Sequence, residues 1–332
     1  MPALPAPRGP LSAYVIGLLA GRRPPSAPPL DPAHDALADD DLHLALYCCY
    51  ELHYRGFDGV DPRLEWDPGL LAFRSSLEGA FEAALRDEVG PADDVAAPMV
   101  GVWLWRFVDG LTGPSLSGFM AAEGTADQLR EFAVHRSAYQ LKEADPHTFG
   151  IPRVSGLTKS ALVEIQADEY GGGRPGHAHA ELFASTMRSL GLDDTYGAYL
   201  DSLPGVTLAT CNLVSMLGLH RRLRGALIGH LAVFEMTSVT PMARYAEALR
   251  RHGFGAEAAE FYDVHVLADA HHQELASGPM ACGLAADEPT LVPDLQFGAK
   301  ALVAVEGSFA THLLRCWQEG RSSLLTAASL AA

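Results

Sequence analysis

The sequence has little of what secreted, membrane-spanning or nucleic-acid-binding proteins need. Its 332 residues include five cysteines, an odd number with no paired spacing, so we expect free thiols and a reducing, cytoplasmic location. Only 24 residues are lysine or arginine against 41 aspartates and glutamates, and the net charge is −17. Such an acidic chain repels phosphates, which argues against nucleic acid or an anionic membrane surface as a partner.

Long apolar runs and internal repeats are also missing. A membrane-spanning helix needs about 20 consecutive apolar residues, but the longest candidate, residues 206–239, is interrupted by His220-Arg-Arg-Leu-Arg224. This basic interruption predicts a junction between two helices. The apolar stretch 14–20 has no basic leader before it, so we expect no cleaved signal peptide. We therefore predict no membrane partner.

The remaining composition is ordinary for a globular protein, 48% hydrophobic and 20% charged, and the pattern predicts an all-α fold. We expect a flexible segment with a short helix and a Pro-rich tether in residues 1–30, an N-terminal helical layer in residues 31–120, and the main bundle in residues 121–332. Asp39–Asp41 predict the start of a helix that reaches Tyr54, because acidic residues suit a helix N-terminus. Residues 102–107 fit either a short strand or a buried helical turn, and the last helix is predicted over residues 297–318.

The segment from Phe261 to His272 carries the strongest chemical signal. His265, Asp269 and His272 follow one another at i, i+4 and i+7, so a helix would place them within a sector of roughly 60°. Their neighbours are mainly valine, leucine and alanine, and a buried charge is costly unless it is paired or bound to a metal. Imidazole and carboxylate ligands suit iron, manganese or zinc. The alternative is a packed ion-pair cluster, and the neighbouring His271 leaves the register open.

Three glutamates extend this pattern to other helices. Glu143, Glu169 and Glu235 each follow apolar residues at three- and four-residue spacing, which places each on the inner face of a separate helix. We expect the first of these helices to end at Asp145-Pro146, with Glu143 in its last turn, and the third to end at Thr240-Pro241. A single such glutamate would mark the edge of an apolar face, but three together favour a shared buried site.

A run of three glycines follows Glu169. Each glycine weakens a helix by about 1 kcal/mol relative to alanine, so Gly171–Gly173 predict a break. That break is either an ordinary loop or a segment that rearranges beside a site. His179 lies on the apolar side of the next helix and is favoured over His177, which faces a wetter side. The same argument from helical direction favours Glu169 over Asp168.

The order of these residues resembles the metal-binding pattern of the heme-oxygenase-like di-iron oxidases, a family usually called iron-containing redox enzymes. The resemblance covers about residues 125–320, and the segment Glu164–Arg174 is similar to the family's central helix. It implies a bundle of about seven helices that encloses two irons, with a central helix that can be disordered until metal binds. The ligands that it implies are Glu143, Glu169, His179, Glu235, His265, Asp269 and His272.

The resemblance also implies a class of reaction. Members of the family are associated with N-oxygenation of amines or guanidines, oxidative decarboxylation of fatty acids, and oxidative fragmentation of amino acids. It therefore implies a non-heme di-iron oxidase or oxygenase with dioxygen as co-substrate and a small-molecule substrate. An external electron donor and a homodimer are compatible with it. All of these substrate classes stay open at this point.

The inventory of donor groups agrees with the metal interpretation independently. Four carboxylates and three neutral imidazoles balance the charge of two ferrous ions, so the site could be buried without a net charge, and helical bundles build di-iron sites from such inward-facing side chains. Tyr139 and Asp168 are predicted to bond the outer nitrogens of the imidazoles. Glu51 and His53 are two residues apart and face different sides of a helix, which disfavours a metal site there. Two alternatives stay open: a metal-independent oxidase or hydrolase on the same bundle, and a non-catalytic helical protein with an ion-pair core.

Overall fold

The computed structural model describes residues 1–22, 26–31 and 35–325. Every regular element in these ranges is helical, which confirms the all-α prediction. Part of the predicted Pro-rich tether, residues 23–25, lies outside the described residues. The α-helices are α1 (Pro10–Leu19), α2 (Asp40–Glu51), α3 (Pro68–Val89), α4 (Val100–Asp109), α5 (Leu116–Ala122), α6 (Ala126–Gln140), α7 (Asp145–Thr148), α8 (Gly156–Glu169), α9 (His179–Ser189), α10 (Gly205–Leu219), α11 (Arg224–Arg251), α12 (Ala256–Leu275), α13 (Gly283–Asp287) and α14 (Val292–Gln318).

Helix α11 lies at the centre of the bundle. It makes its largest interfaces with α12 and α14, and the half before Pro241 is almost entirely buried. Glycines allow the closest approach to α14. A Cβ at Gly229 would lie 1.9 Å from the carbonyl oxygen of Leu295, and a Cβ at Gly298 would lie 1.8 Å from that of Ala226. These distances exclude any larger side chain, so the two helices meet backbone to backbone.

Helix α2 connects the N-terminal helices to the bundle, because it packs against α10 on one side and against α1 on another. Asp39 caps α2 by accepting a hydrogen bond from the backbone N–H of Leu42 at 2.7 Å. The helix begins where the sequence predicts, but it ends at Glu51 instead of Tyr54. Asp41 accepts two backbone hydrogen bonds from the start of α1, at 2.8 and 2.7 Å. Side-chain capping therefore stabilises both N-termini, and Asp41 also joins α2 to the start of α1.

Two of the predicted helix ends at proline are wrong. Helix α6 ends at Gln140, so Glu143 lies in the loop that follows it and not in its last turn, and Pro146 stands in the first turn of α7. Proline fits there because its missing N–H is not needed in the first turn of a helix. Helix α11 continues through Pro241 to Arg251, because apolar side chains beyond the proline are buried and keep that half packed on the core.

Other boundaries left open by the sequence are defined in the structure. Residues 102–107 lie within α4, so they form a helix and not a strand, although only Leu104 among them is buried. The predicted junction near residues 220–224 is confirmed as a 3₁₀ turn, Arg221–Leu223, between α10 and α11. The last helix begins at Val292, earlier than expected, because Pro293 occupies its first turn.

One helix of the described residues, Arg221–Arg251, is long and apolar enough to cross a membrane by length and composition. Within its most apolar window, however, 67% of the residues are buried inside the fold. The core helix of a globular bundle has the same composition, and the central position of α11 explains it here.

Candidate metal centre

The structure brings together all seven acidic and histidine residues that the sequence singles out. None of the seven is more than 7% exposed. They form two groups of four in which the nearest ligand atoms all lie within 4.8 Å of one another. The first group is Glu143, Glu169, His179 and His265, and the second group is Glu169, Glu235, Asp269 and His272. Glu169 belongs to both groups, so it stands between them.

Five segments of the chain deliver these side chains. Glu143 comes from the loop after α6, Glu169 is the last residue of α8, His179 is the first residue of α9, and Glu235 lies in the middle of α11. The remaining three project from α12, as the i, i+4, i+7 spacing predicts. The helical period therefore brings the α12 residues to one face, whereas Glu169 and His179 meet because the chain turns sharply between α8 and α9.

Glycine makes that turn. Gly171, Gly172 and Gly173 have φ values of 65°, 63° and 72°, in the left-handed region that side chains with a Cβ rarely adopt. A Cβ at Gly171 would also lie 2.4 Å from the backbone carbonyl carbon of His177. The predicted break at the glycine run is therefore confirmed, and it lets two helix ends face the same interior point.

In the first group, the ring nitrogen Nδ1 of His179 lies 2.8 Å from Oε2 of Glu169. The ring nitrogen Nε2 of His265 lies 3.5 Å from Oε1 of Glu143. The two imidazole rings are 4.2 Å apart between centroids. The nitrogen and oxygen atoms of the four side chains thus point toward one small space between them.

In the second group, Nδ1 of His272 lies 3.4 Å from Oε2 of Glu235 and 3.5 Å from Oδ1 of Asp269. Ser238 donates a hydrogen bond to the other oxygen of Asp269 at 2.5 Å. This hydroxyl fixes the carboxylate so that Oδ1 faces the imidazole.

Hydrogen bonds behind the imidazoles fix which nitrogen faces inward. Nδ1 of His265 donates to the carbonyl oxygen of Phe261 at 2.7 Å, since a carbonyl can only accept. Nε2 of His272 donates to Oδ2 of Asp168 at 3.0 Å. Each histidine is left with its other nitrogen free to bind a metal, the usual arrangement for metal-ligating histidine. Asp168 makes the contact that the sequence predicts.

Tyr139 does not make its predicted contact with an imidazole. Its hydroxyl is buried and has no hydrogen-bond partner among the described residues. The ring packs edge-on against Phe234 with centroids 5.6 Å apart, which holds the hydroxyl away from the outer nitrogens. Gln140, with its amide nitrogen toward Glu143, instead donates to the two oxygens of that carboxylate at 2.5 and 3.2 Å. Sequence reasoning missed Gln140, although it lies only three residues before the glutamate.

Four inward-facing atoms make no well-directed hydrogen bond among the described residues. They face one another in two pairs, Oε2 of Glu169 with Nδ1 of His179 at 2.8 Å and Oδ1 of Asp269 with Nδ1 of His272 at 3.5 Å. A buried polar atom without a good hydrogen bond costs about 1–3 kcal/mol, and a bound ion in each group would satisfy these atoms. Imidazole nitrogen and carboxylate oxygen are suitable donors for divalent first-row metals. The residues therefore fit two metal ions, one in each group.

The protonation states without metal support the same conclusion. Burial raises the pKa of Glu235 to about 8; the nearby imidazole of His272 opposes this effect, and the neighbouring charge of Asp269 adds to it. Burial opposes protonation of His265 and His272, but the surrounding carboxylates outweigh it and raise their pKa values to about 10 and about 11. Protons thus balance the carboxylates where cations are absent, and metal ions would replace them.

A cavity of about 10 Å³ adjoins both groups, and apart from the acids and histidines of the centre it is lined mainly by Tyr139, His147, Gln166, Leu231 and Phe234. This volume holds about one water molecule. Nε2 of His147 lies 3.1 Å from Nδ1 of His230, a second buried histidine. Sequence reasoning missed this pair. The signal available was that His147 follows Glu143 by four residues.

The other acids and histidines that the sequence left as alternatives belong to neither group, although Asp168 contacts His272. His271 has a side chain 61% exposed and faces Glu164 at 3.3 Å. His177 belongs to neither group. Glu51 and His53 do not meet, because Glu51 is paired with Lys142 and His53 with Glu65.

A sequence model of a protein family described as "Iron-containing redox enzyme" matches residues 130–307. The chain belongs to this family. The matched range contains all seven residues of the two groups, whereas α1 to α5 precede it. Membership and the nitrogen and oxygen ligand set together support an oxidoreductase that uses iron.

The chain is also similar to a nitrosourea synthase of Streptomyces achromogenes subsp. streptozoticus, with 28% identity over 157 residues. The match covers 46% of this chain and 33% of the relative. The matched segment therefore spans about a third of that protein's length. Together with the family match, this similarity supports an oxidase or oxygenase type of function.

Proposed function

We propose that this protein is a non-heme di-iron oxygenase that uses dioxygen to oxidise a small molecule. The observation that carries the proposal is the sharing of Glu169 between two buried groups of metal-type ligands. A carboxylate in that position can bridge two ions and hold them close together, as in other helical bundles with inward-facing glutamate and histidine. An ion pair with a purely structural role would not explain why two such groups lie side by side.

Two ferrous ions bound in these groups would supply electrons for the reduction of dioxygen. The protein's own side chains prepare the site for that chemistry. The carbonyl of Phe261 and the carboxylate of Asp168 orient His265 and His272, and four carboxylates would neutralise the cations. Because the ligands are buried and the cavity beside them holds only about one water molecule, bulk water is kept from the reacting atoms.

Nitrogen is the atom that we propose to be oxidised. A nitrosourea carries an oxidised nitrogen, and a nitrosourea synthase is similar to 46% of this chain. We therefore favour N-oxygenation of an amine or guanidine over oxidative cleavage of carbon–carbon bonds in an amino or fatty acid. N-hydroxylation of an amine consumes one dioxygen, two electrons and two protons and releases water, so an external electron donor is part of the proposal.

Anaerobic loading with ferrous iron tests the proposal at its base. We expect about two irons per chain, and His265→Ala or His272→Ala should each lose at least one. The loaded protein, mixed with dioxygen, a chemical reductant and a panel of amines and guanidines, should yield a product heavier by one oxygen that mass spectrometry detects. Well-folded protein that binds no iron would contradict the di-iron proposal, and binding with oxidation only at carbon would contradict the choice of nitrogen.

A further inference from the structure

A buried lysine lies next to one of the candidate ligands. Nζ of Lys142 lies 2.8 Å from Oε2 of Glu51, and the two side chains are only 2% and 0% exposed. Three tyrosine rings surround the ammonium group, with centroids 4.2, 4.6 and 5.9 Å from Nζ, in Tyr54, Tyr47 and Tyr196 respectively. Ammonium over aromatic faces is attracted by the rings. Lys142 is therefore held in a closed cage made mainly by α2 and the residues just after it.

The acid partner is held as firmly as the lysine. Tyr196 donates its hydroxyl hydrogen to Oε2 of Glu51 at 2.6 Å, and the backbone N–H of Arg55 donates to Oε1 at 3.3 Å. The guanidinium of Arg55 stacks on the Tyr196 ring at 4.2 Å and donates to the carbonyl oxygen of Leu141 at 3.1 Å. The end of α2 and the residues after it thus bind Leu141 and Lys142, two consecutive residues of the loop after α6.

That loop is the one that carries Glu143. The loop has no run of helical backbone hydrogen bonds of its own to hold it, since α6 ends at Gln140 and α7 begins at Asp145. On the opposite side, Gln166 of α8 donates to the carbonyl oxygen of Ala144 at 3.2 Å. Glu143 therefore lies between two anchors, one from the N-terminal helices and one from α8. The other ligands have helix backbones or helix ends to place them.

The cost of this arrangement indicates what it is for. A buried ion pair pays a large desolvation penalty, and well-packed apolar residues of the same volume are often as stable or more so. A contribution to stability therefore does not explain why Glu51 and Lys142 form a buried ion pair. A directional contact that fixes the position of the next residue, Glu143, does explain it.

We propose that the Glu51–Lys142 pair is a positioning device for the metal ligand Glu143, and that α2, which lies outside the matched family range, is in this way part of the metal centre. The inference rests on the proposed di-iron function for its metal readout, but not for its structural readout. Lys142 and Glu51 act through Glu143 and touch neither metal nor substrate.

The test replaces both charges at once, because a single replacement would leave the other charge buried and unpaired. Glu51→Gln with Lys142→Met keeps the approximate shape of both side chains. The matched control is Glu306→Gln with Arg136→Met. This pair joins α6 to α14 by two hydrogen bonds of 2.9 and 2.6 Å, but it does not contact the loop that carries Glu143.

Anaerobic titration with ferrous iron gives the first readout. Displaced supporting contacts typically cost 10–100-fold in metal affinity, so we expect the Glu51/Lys142 variant to weaken binding of one iron by that factor while the other iron binds as before. The Arg136/Glu306 variant should bind both irons normally. Two irons bound with unchanged affinity in the Glu51/Lys142 variant would overturn the proposal.

Amide exchange of the metal-free protein gives the second readout. The N–H of Asp145 bonds to the carbonyl oxygen of Lys142 at 3.0 Å, and we expect its exchange to speed up at least tenfold in the Glu51/Lys142 variant and not in the control. Unchanged exchange would show that the pair does not position the loop, even if the wild-type protein bound no iron. If the double variant does not fold, Tyr196→Phe removes only the hydroxyl donor to Glu51, and it should give the same two changes at about two- to tenfold, the size of one hydrogen bond. No change in either readout would again overturn the proposal.

Discussion

The two groups of the candidate metal centre are built on different kinds of backbone. In the second group, three of the four side chains project from the interiors of the long helices α11 and α12. In the first group, Glu143 lies in a loop and His179 is the first residue of α9, and only His265 stands within a long helix. Residues inside a helix are held by its backbone hydrogen bonds, whereas loops and helix ends depend on what packs around them. We therefore expect the second group to be the better prepared for metal and to fill first.

The largest effect is expected at Glu169, because it belongs to both groups. Glu169→Ala should reduce bound iron from two per chain to at most one and abolish dioxygen-dependent oxidation of ferrous iron, measured by absorbance after mixing anaerobic protein with oxygen. His177→Ala and His271→Ala are the matched controls and should keep most of this activity. If His177→Ala proved as damaging as His179→Ala, the ligand after the glycine run would be His177.

His179→Ala separates the two groups. It removes a ligand of the first group only, so we expect one iron per chain to remain at nearly wild-type affinity while the paired oxidation chemistry is lost. Quantitative iron analysis after anaerobic titration measures this directly. A variant that binds no iron at all would show that the groups do not fill independently and that the comparison between them is wrong.

Amide exchange should reveal the difference in backbone without any mutation. Residues 167–183 include the end of α8, the glycine turn and the start of α9, and segments of this kind open at low free energy. Added ferrous iron should slow their exchange at least tenfold, and α12 around His265 and His272 should change less. Equal exchange with and without iron in residues 167–183 would mean that the glycine turn is a static bend.

The smallest expected effect is the release of protons when metal binds. Raised pKa values of about 10 for His265, about 11 for His272 and about 8 for Glu235 mean that all three are largely protonated at pH 7 in the metal-free protein. Metal binds the deprotonated forms, so loading both groups at pH 7 should release about three protons, two of them from the second group. Apparent affinity should therefore rise with pH through neutrality and level off only above about pH 11, where His272 has lost its proton. Calorimetry in buffers of different ionisation enthalpy measures the release, and none would contradict these protonation states.

The sequence predicts the parts of this centre that follow from helical periodicity. The spacing of His265, Asp269 and His272 places them on one face, and helical direction separates His179 from His177. Periodicity cannot predict a loop, so the pattern places Glu143 in the last turn of a helix, whereas the structure has it in the loop after α6. It also cannot predict the pairing of Glu51 with Lys142, 91 residues apart, because nothing local in either segment depends on the other.

The glycine pair at the α11–α14 contact has a consequence for how the protein tolerates change. A methyl group at Gly229 or Gly298 would collide with a backbone carbonyl, and a backbone atom cannot rotate away as a side chain can. The helices would have to separate, and α11 carries Glu235 six residues beyond Gly229. Alanine, the mildest substitution in most helices, should therefore be among the most harmful at these two positions, although neither residue touches the metal centre.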